Sequence, residues 1–180
     1  MKLAKLIAIT ALTAFNVSSS FGQAKDHKLI RIDQIKKIFR SINDYKNYKV
    51  VTIDDSEEFL GHGTDNGGSL KGYYRGDSLK KIAEWVGLSN RVIQNEYYFD
   101  KGKLVFVYST DSQYKFNDST GEFDYSKFDK IFNGRYYFSN DKLLDTILND
   151  KEHEKTRQGD AKDLLTSGSD YMKLLNARRK

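Results

Sequence analysis

Apolar residues recur along this chain with two periods, and the change between them divides it. Ile32, Ile35, Ile38, Phe39 and Ile42 fall at helical spacing, with Lys36, Lys37, Arg40 and Ser41 on the other side. This stripe predicts an amphipathic helix, capped at its start by Asp26 or Asp33 and released at Asn43-Asp44. A single apolar stripe needs a sheet to cover it. From Tyr48 onward the period shortens to two. Tyr48–Asp54 is β-branched and short, which predicts a strand. Asp55–Gly68 follows, with four acids between Asp54 and Glu58 and then four glycines. It reads as an exposed acidic loop, a candidate flap.

The clearest strand signal is Glu96–Tyr108, where two aromatic runs flank Asp100-Lys101-Gly102. Related lettering recurs on both sides. Aligned on Tyr73-Tyr74, Tyr97-Tyr98 and Tyr136-Tyr137, each pair is followed by a turn and then by Leu79, Leu104 or Leu143. The first copy has a two-residue tip, Gly76-Asp77. The other two are one residue longer, which suits a three-residue loop with a glycine bulge. Alternation puts Tyr97 and Phe99 on one face with Glu96 and Tyr98 on the other. Across the turn it groups Leu104, Phe106 and Tyr108 against Val105 and Val107. With both faces apolar, this hairpin belongs near the middle of a sheet. The run after Leu143 could be a strand or the start of a helix, and helix is favoured. Lys151–Gly159 reads as a charged linker, and the C-terminal helix is expected to break at Ser167-Gly168-Ser169.

The first segment changes the picture of what folds. Lys2 and Lys5 precede an apolar run, Leu6–Val17, and small residues end at Gly22. This is the pattern of a secretory signal peptide cleaved after Gly22, too short for a membrane span. Its removal takes away two lysines and no acid, so a formal charge of +5 becomes +3. A mixed surface of that charge lacks the concentrated basic face of a nucleic-acid binder. There is no Cys, which excludes disulfide stapling and thiol chemistry, and no Pro, so Gly, Asn, Asp and Ser must make the turns. The abundance of Lys, Asn, Asp and Tyr points to a bacterial origin.

Candidate chemistry is sparse. Of three histidines only His62, in Gly61-His62-Gly63-Thr64-Asp65, sits where an active site could form, and no G-x-S-x-G elbow accompanies it. The glycines of that loop lack the Lys-Ser/Thr of a phosphate loop. The acids at Asp54–Glu58 and Asp118–Asp124 match no calcium-loop spacing, so no metal and no cofactor is expected. Aromatics are the one enrichment, with 12 Tyr, 11 Phe and a single Trp. The recurring tyrosines form either a cross-strand ladder that stabilises the sheet or a stacking face for a ligand. The candidate binding face is Tyr73, Tyr74, Trp85, Tyr97, Tyr98, Tyr136 and Tyr137.

The segments Gly72-Tyr73-Tyr74, Leu79–Ile82, Glu96–Phe106 and Arg135–Phe138 together resemble a group of uncharacterised secreted or periplasmic bacterial proteins built from Tyr-rich hairpins. The likeness covers roughly Ile32–Leu148. It implies architecture, a signal peptide followed by a helix and a meander of hairpins, and carries no activity.

The expected fold is therefore α+β. It is an antiparallel meander of about five to seven strands with an N-terminal helix on one face and a helical C-terminus. The expected divisions are a signal peptide over 1–22, a hairpin domain over 23–150, and a linker with helix over 151–180. The expected role is an exported, non-enzymatic binding or structural module of the cell envelope with a protein or glycan partner. An inhibitor or accessory protein docking through a sheet face is an alternative. So is a hydrolase using carboxylates such as Glu96 with Asp100 or Glu84.

Overall fold

A computed structural model describes residues 18–149 and 154–179. The sheet is a seven-stranded antiparallel meander in which every strand pairs with its neighbour in sequence. Helix α1 (Ser18–Asp44) precedes β1 (Lys49–Ile53). A short helix α2 (Ser56–Leu60) leads into β2 (Gly68–Arg75), β3 (Ser78–Gly87), β4 (Arg91–Asp100), β5 (Lys103–Asn117), β6 (Glu122–Ser139) and β7 (Lys142–Leu148). Helix α3 (Glu154–Arg178) ends the chain. The expected α+β meander with helices at both ends is present. The signal segment falls mostly outside the described residues, and Ser18–Gly22 open α1. Among the described residues no helix is long and apolar enough to cross a membrane.

The hairpin tips show why these sequences turn. All three central hairpins close with two-residue loops, between Arg75 and Ser78, Asp100 and Lys103, and Ser139 and Lys142. Lys101 and Gly102 have φ of 49° and 76°, and Asn140 and Asp141 have 53° and 58°. Two consecutive positive φ values make a primed turn, whose twist matches the flanking strands. The three-residue loops expected for the second and third hairpins are absent. The extra residue sits one step further on, as a bulge at Lys80, Val105 and Leu144 in β3, β5 and β7. With the bulges aligned, Tyr73-Tyr74 corresponds to Tyr98-Phe99 and Tyr137-Phe138, one residue away from the alignment on Tyr-Tyr pairs.

Each bulge also resets which side chains face which helix. Leu104 and Val107 join the α3-side cluster, while Val105 and Phe106 join the α1-side cluster. Strict alternation had grouped Leu104 with Phe106. On the α1 side a row runs across the strands through Lys81, Tyr98, Phe106, Tyr137 and Asp145. Phe39 of α1 packs on its rings, 4.9 Å from Tyr98 and 5.4 Å from Phe106 between centroids. Ile32, Ile35 and Ile42 are buried there as the stripe predicts, each contributing roughly 1.5–3 kcal/mol. On the opposite side the row is Ile82, Tyr97, Val107 and Tyr136, covered by Leu164, Tyr171 and Leu175 of α3.

Three expectations for the C-terminal part are corrected. Leu143–Leu148 is strand β7, because the Asn140-Asp141 turn returns it onto β6, where the sheet supplies its backbone partners. Glu154–Gly159 of the expected linker belongs to α3, and Lys151–His153 lie outside the described residues. Helix α3 is unbroken at Gly168. A Cβ there would sit 3.3 Å from both Leu104 Cδ2 and Tyr97 Cδ1. Glycine costs a helix about 1 kcal/mol, but here it lets the helix seat closely on the sheet. The acidic loop is likewise anchored. Asp55 caps α2 by accepting from the Glu57 amide, and Phe59 stands edge-on to Tyr171 at 5.9 Å.

Beyond Gln113 the β5–β6 pair loses its neighbours and continues as a two-stranded ribbon. Phe116, Tyr125, Phe128 and Ile131 are exposed along it.

Candidate functional site

The sheet row next to Ile82, Tyr97, Val107 and Tyr136 is chemically different. It reads Glu84, Asn95, Ser109 and Gly134. Helix α3 seats on Tyr97 and Leu104 at Gly168, and the shorter side chains of this row leave space beside that contact. The result is a cavity of about 440 Å³, walled by Glu84, Asn95 and Ser109 of this row, by Leu60, His62 and Thr64, and by Asp160, Asp163, Leu164, Ser167 and Tyr171 of α3.

Glu84 is the centre of this site. Its side chain is 6% exposed. Oε1 accepts from the Tyr171 hydroxyl at 2.7 Å, and Oε2 accepts from the Tyr97 hydroxyl at 2.9 Å and the Asn95 amide at 2.8 Å. All three donors are neutral, and among the described residues no Lys or Arg pairs with it. Burial, and after it the Glu84 charge, push the Tyr97 and Tyr171 hydroxyls well above their ordinary range. Both stay protonated donors at any physiological pH. Asn95 spends its NH₂ on Glu84, because a carboxylate only accepts. Its Oδ1 is buried with no donor.

The other buried or half-buried acids differ. Asp111 pairs with Arg91 at 3.2 Å. Glu96 lies on the α1 side, where Lys81 approaches to 2.5 Å and the Tyr98 hydroxyl donates at 2.7 Å. Glu84 and Glu96 therefore face opposite sides of the sheet and cannot work as a catalytic pair. Asp100 lines a separate depression near Arg75 and Lys80. His62 lines the Glu84 cavity but is exposed, with Nδ1 3.0 Å from its neighbour's carbonyl at Gly63. Among the described residues no group of His, Cys, Asp or Glu could hold a metal ion.

The structure scatters the expected aromatic face. Tyr74, Tyr97, Tyr98, Tyr136 and Tyr137 are buried, and only Tyr73 and Trp85 are half-exposed. These seven do not form one exposed stacking surface, because α1 covers one side of the sheet and α3 the other. Nor are any two of the seven cross-strand partners: Val107 lies between Tyr97 and Tyr136, and Phe106 lies between Tyr98 and Tyr137 and touches both rings. Tyr97 and Tyr136 alone reach the cavity. Asn95, Asp163 and Tyr171 carried no signal of a site in the sequence. Glu84 left one: it takes the inward position between Ile82 and Val86, where alternation calls for an apolar residue.

No family model, no curated protein and no solved structure matches this chain.

Proposed function

We propose that the chain is an exported, non-enzymatic binding module of the bacterial cell envelope, and that the Glu84 cavity is its ligand seat. The observation that carries this is the cavity wall, which combines a buried carboxylate with an acceptor, Asn95 Oδ1, that has no donor. Buried polar groups are normally satisfied, and a concave site with apolar walls and a few convergent polar groups is the usual form of a ligand pocket. The same groups argue against catalysis. Glu84 is held by three donors, and the two tyrosines beside it are pushed away from ionisation. The leader pattern over Met1–Gly22 supports export.

A fragment screen followed by NMR tests the seat. Hits should move the Asn95 side-chain amide signals, and Ile93→Trp, which fills the cavity from β4, should abolish them. Hits that map elsewhere and survive the filling would sink the reading.

The exposed ribbon favours a second reading, a periplasmic inhibitor or accessory protein that docks an envelope enzyme. Phe116, Tyr125 and Phe128 are each more than half exposed. The docking surface would be the ribbon, since helices cover the sheet centre. Loss of an enzyme complex on Phe128→Ser would support it, and an undiminished complex would remove it.

A further inference from the structure

We infer that the occupant of the Glu84 cavity is an organic cation, an ammonium or guanidinium group carried on an apolar body. The inference rests on the seat proposed above and adds the ligand's chemistry. Three independent features of the wall converge. The first is charge. Among the described residues Glu84 is buried with neutral donors only, and a carboxylate taken out of water is costly until a positive charge meets it. Its oxygens offer about four lone-pair sites, of which the structure fills three, so one more donor fits. The second is Asn95 Oδ1, a buried acceptor beside Glu84 with no donor. A ligand group that meets this wall must donate, and an ammonium or guanidinium donates only. The third is the rest of the lining. Among the described residues it holds no Lys or Arg, whereas Asp163 adds an exposed carboxylate from α3. A cation meets opposite charge there.

The body of the ligand follows from the remaining wall, where Val86, Leu88, Ile93 and Leu164 are apolar. A bare divalent ion is a poor match, since no cluster of three acidic or histidine ligands exists among the described residues. A volume of about 440 Å³ suits a small molecule or a single cationic side chain of a peptide, near the lower end of ligand pockets.

The test uses the full-length ¹⁵N-labelled chain and three probes of one shape: benzylammonium, benzyl alcohol and benzoate. Benzylammonium should shift the Asn95 side-chain amide signals saturably, at least tenfold more tightly than the other two. Glu84→Gln should weaken it about tenfold. Asp163→Asn, at an exposed position that does not threaten the fold, should weaken it about twofold. If benzyl alcohol or benzoate saturates the same signals as tightly, the seat stands and the cation inference is overturned. If Asp163→Asn and Glu84→Gln both bind benzylammonium as the parent does, the inference is likewise overturned. If no probe moves the Asn95 signals at any concentration, the seat itself falls and the inference falls with it.

Discussion

Glu84 and Glu96 sit on adjacent strands and face opposite helices, and the chain treats them differently. Glu96 is about a third exposed and has a lysine, Lys81, as its partner. Glu84 is almost fully enclosed and has two tyrosines and an asparagine. The α1 side thus resolves its acid in the ordinary structural way, as an ion pair under a helix edge. The α3 side keeps an almost fully buried charge and, among the described residues, supplies donors without a countercharge. A buried carboxylate of that kind adds little net stability, so its placement is better explained by what enters the cavity than by the fold.

The largest test of this contrast is packing. Leu175→Ala, from the fully buried foot of α3, should cost about 4–5 kcal/mol. Ile35→Ala on α1 should cost about 2–3 kcal/mol, because Ile35 already borders an open depression of about 320 Å³. Urea unfolding measures both, and equal losses would remove the asymmetry between the two sides.

The next effect comes from the donors. Tyr171→Phe strips a hydrogen bond from an enclosed charge and should lower stability by about 2 kcal/mol. Tyr98→Phe should lower it by about 1 kcal/mol, since Glu96 retains Lys81. A Tyr98→Phe loss as large as that of Tyr171→Phe would mean that the lysine makes no difference.

A pH dependence follows from the same groups. The Tyr97, Tyr98 and Tyr171 hydroxyls are all raised, by burial first and then by the neighbouring glutamate. The folded state therefore holds these protons where the unfolded chain releases them, above about pH 10. The stability they contribute is complete below about pH 10 and is lost as pH rises beyond it. Absorbance at 295 nm should show these tyrosines ionising only as the fold opens, and Tyr97→Phe should flatten the loss. Ionisation of all the tyrosines near pH 10 with the fold intact would contradict the enclosure of Glu84.

The smallest effect serves as a control from the exposed ribbon. The Asp124 carboxyl is lowered to about 2 by hydrogen bonds from Ser126 and Lys127. Its contribution is present above the usual carboxylate range and fades as pH falls toward 2. Because Asp124 is open to solvent, unfolding between pH 7 and 4 should not register it, while its own NMR titration should.

Much of the architecture was legible from lettering. The Ile32–Ile42 stripe and the β-branched run before Asp54 each depend on contacts within a few residues, and each is found where the pattern puts it. The misplacements all involve information from elsewhere in the chain. A bulge such as Val105 reverses the inward face, yet it is visible only once β4 lies alongside. Leu143–Leu148 is ambiguous alone and becomes a strand through β6. Gly168 reads as a helix break until Tyr97 and Leu104 are beneath it. Half of the candidate site shared this fate. Glu84 stood out as an acid at an apolar position, but Tyr171 is 87 residues away from it along the chain.

The sequence by itself determined the units: one amphipathic helix, Tyr-rich hairpins, and tyrosines at alternating positions that must point two ways. Only the tertiary structure decided that both ways are inward, because a second helix, α3, covers the face that α1 leaves. That packing event buries Tyr97 and Tyr136 and leaves space beneath Glu84, Asn95 and Ser109. Local periodicity states which residues share a face, and only the arrival of a distant element states what that face will touch.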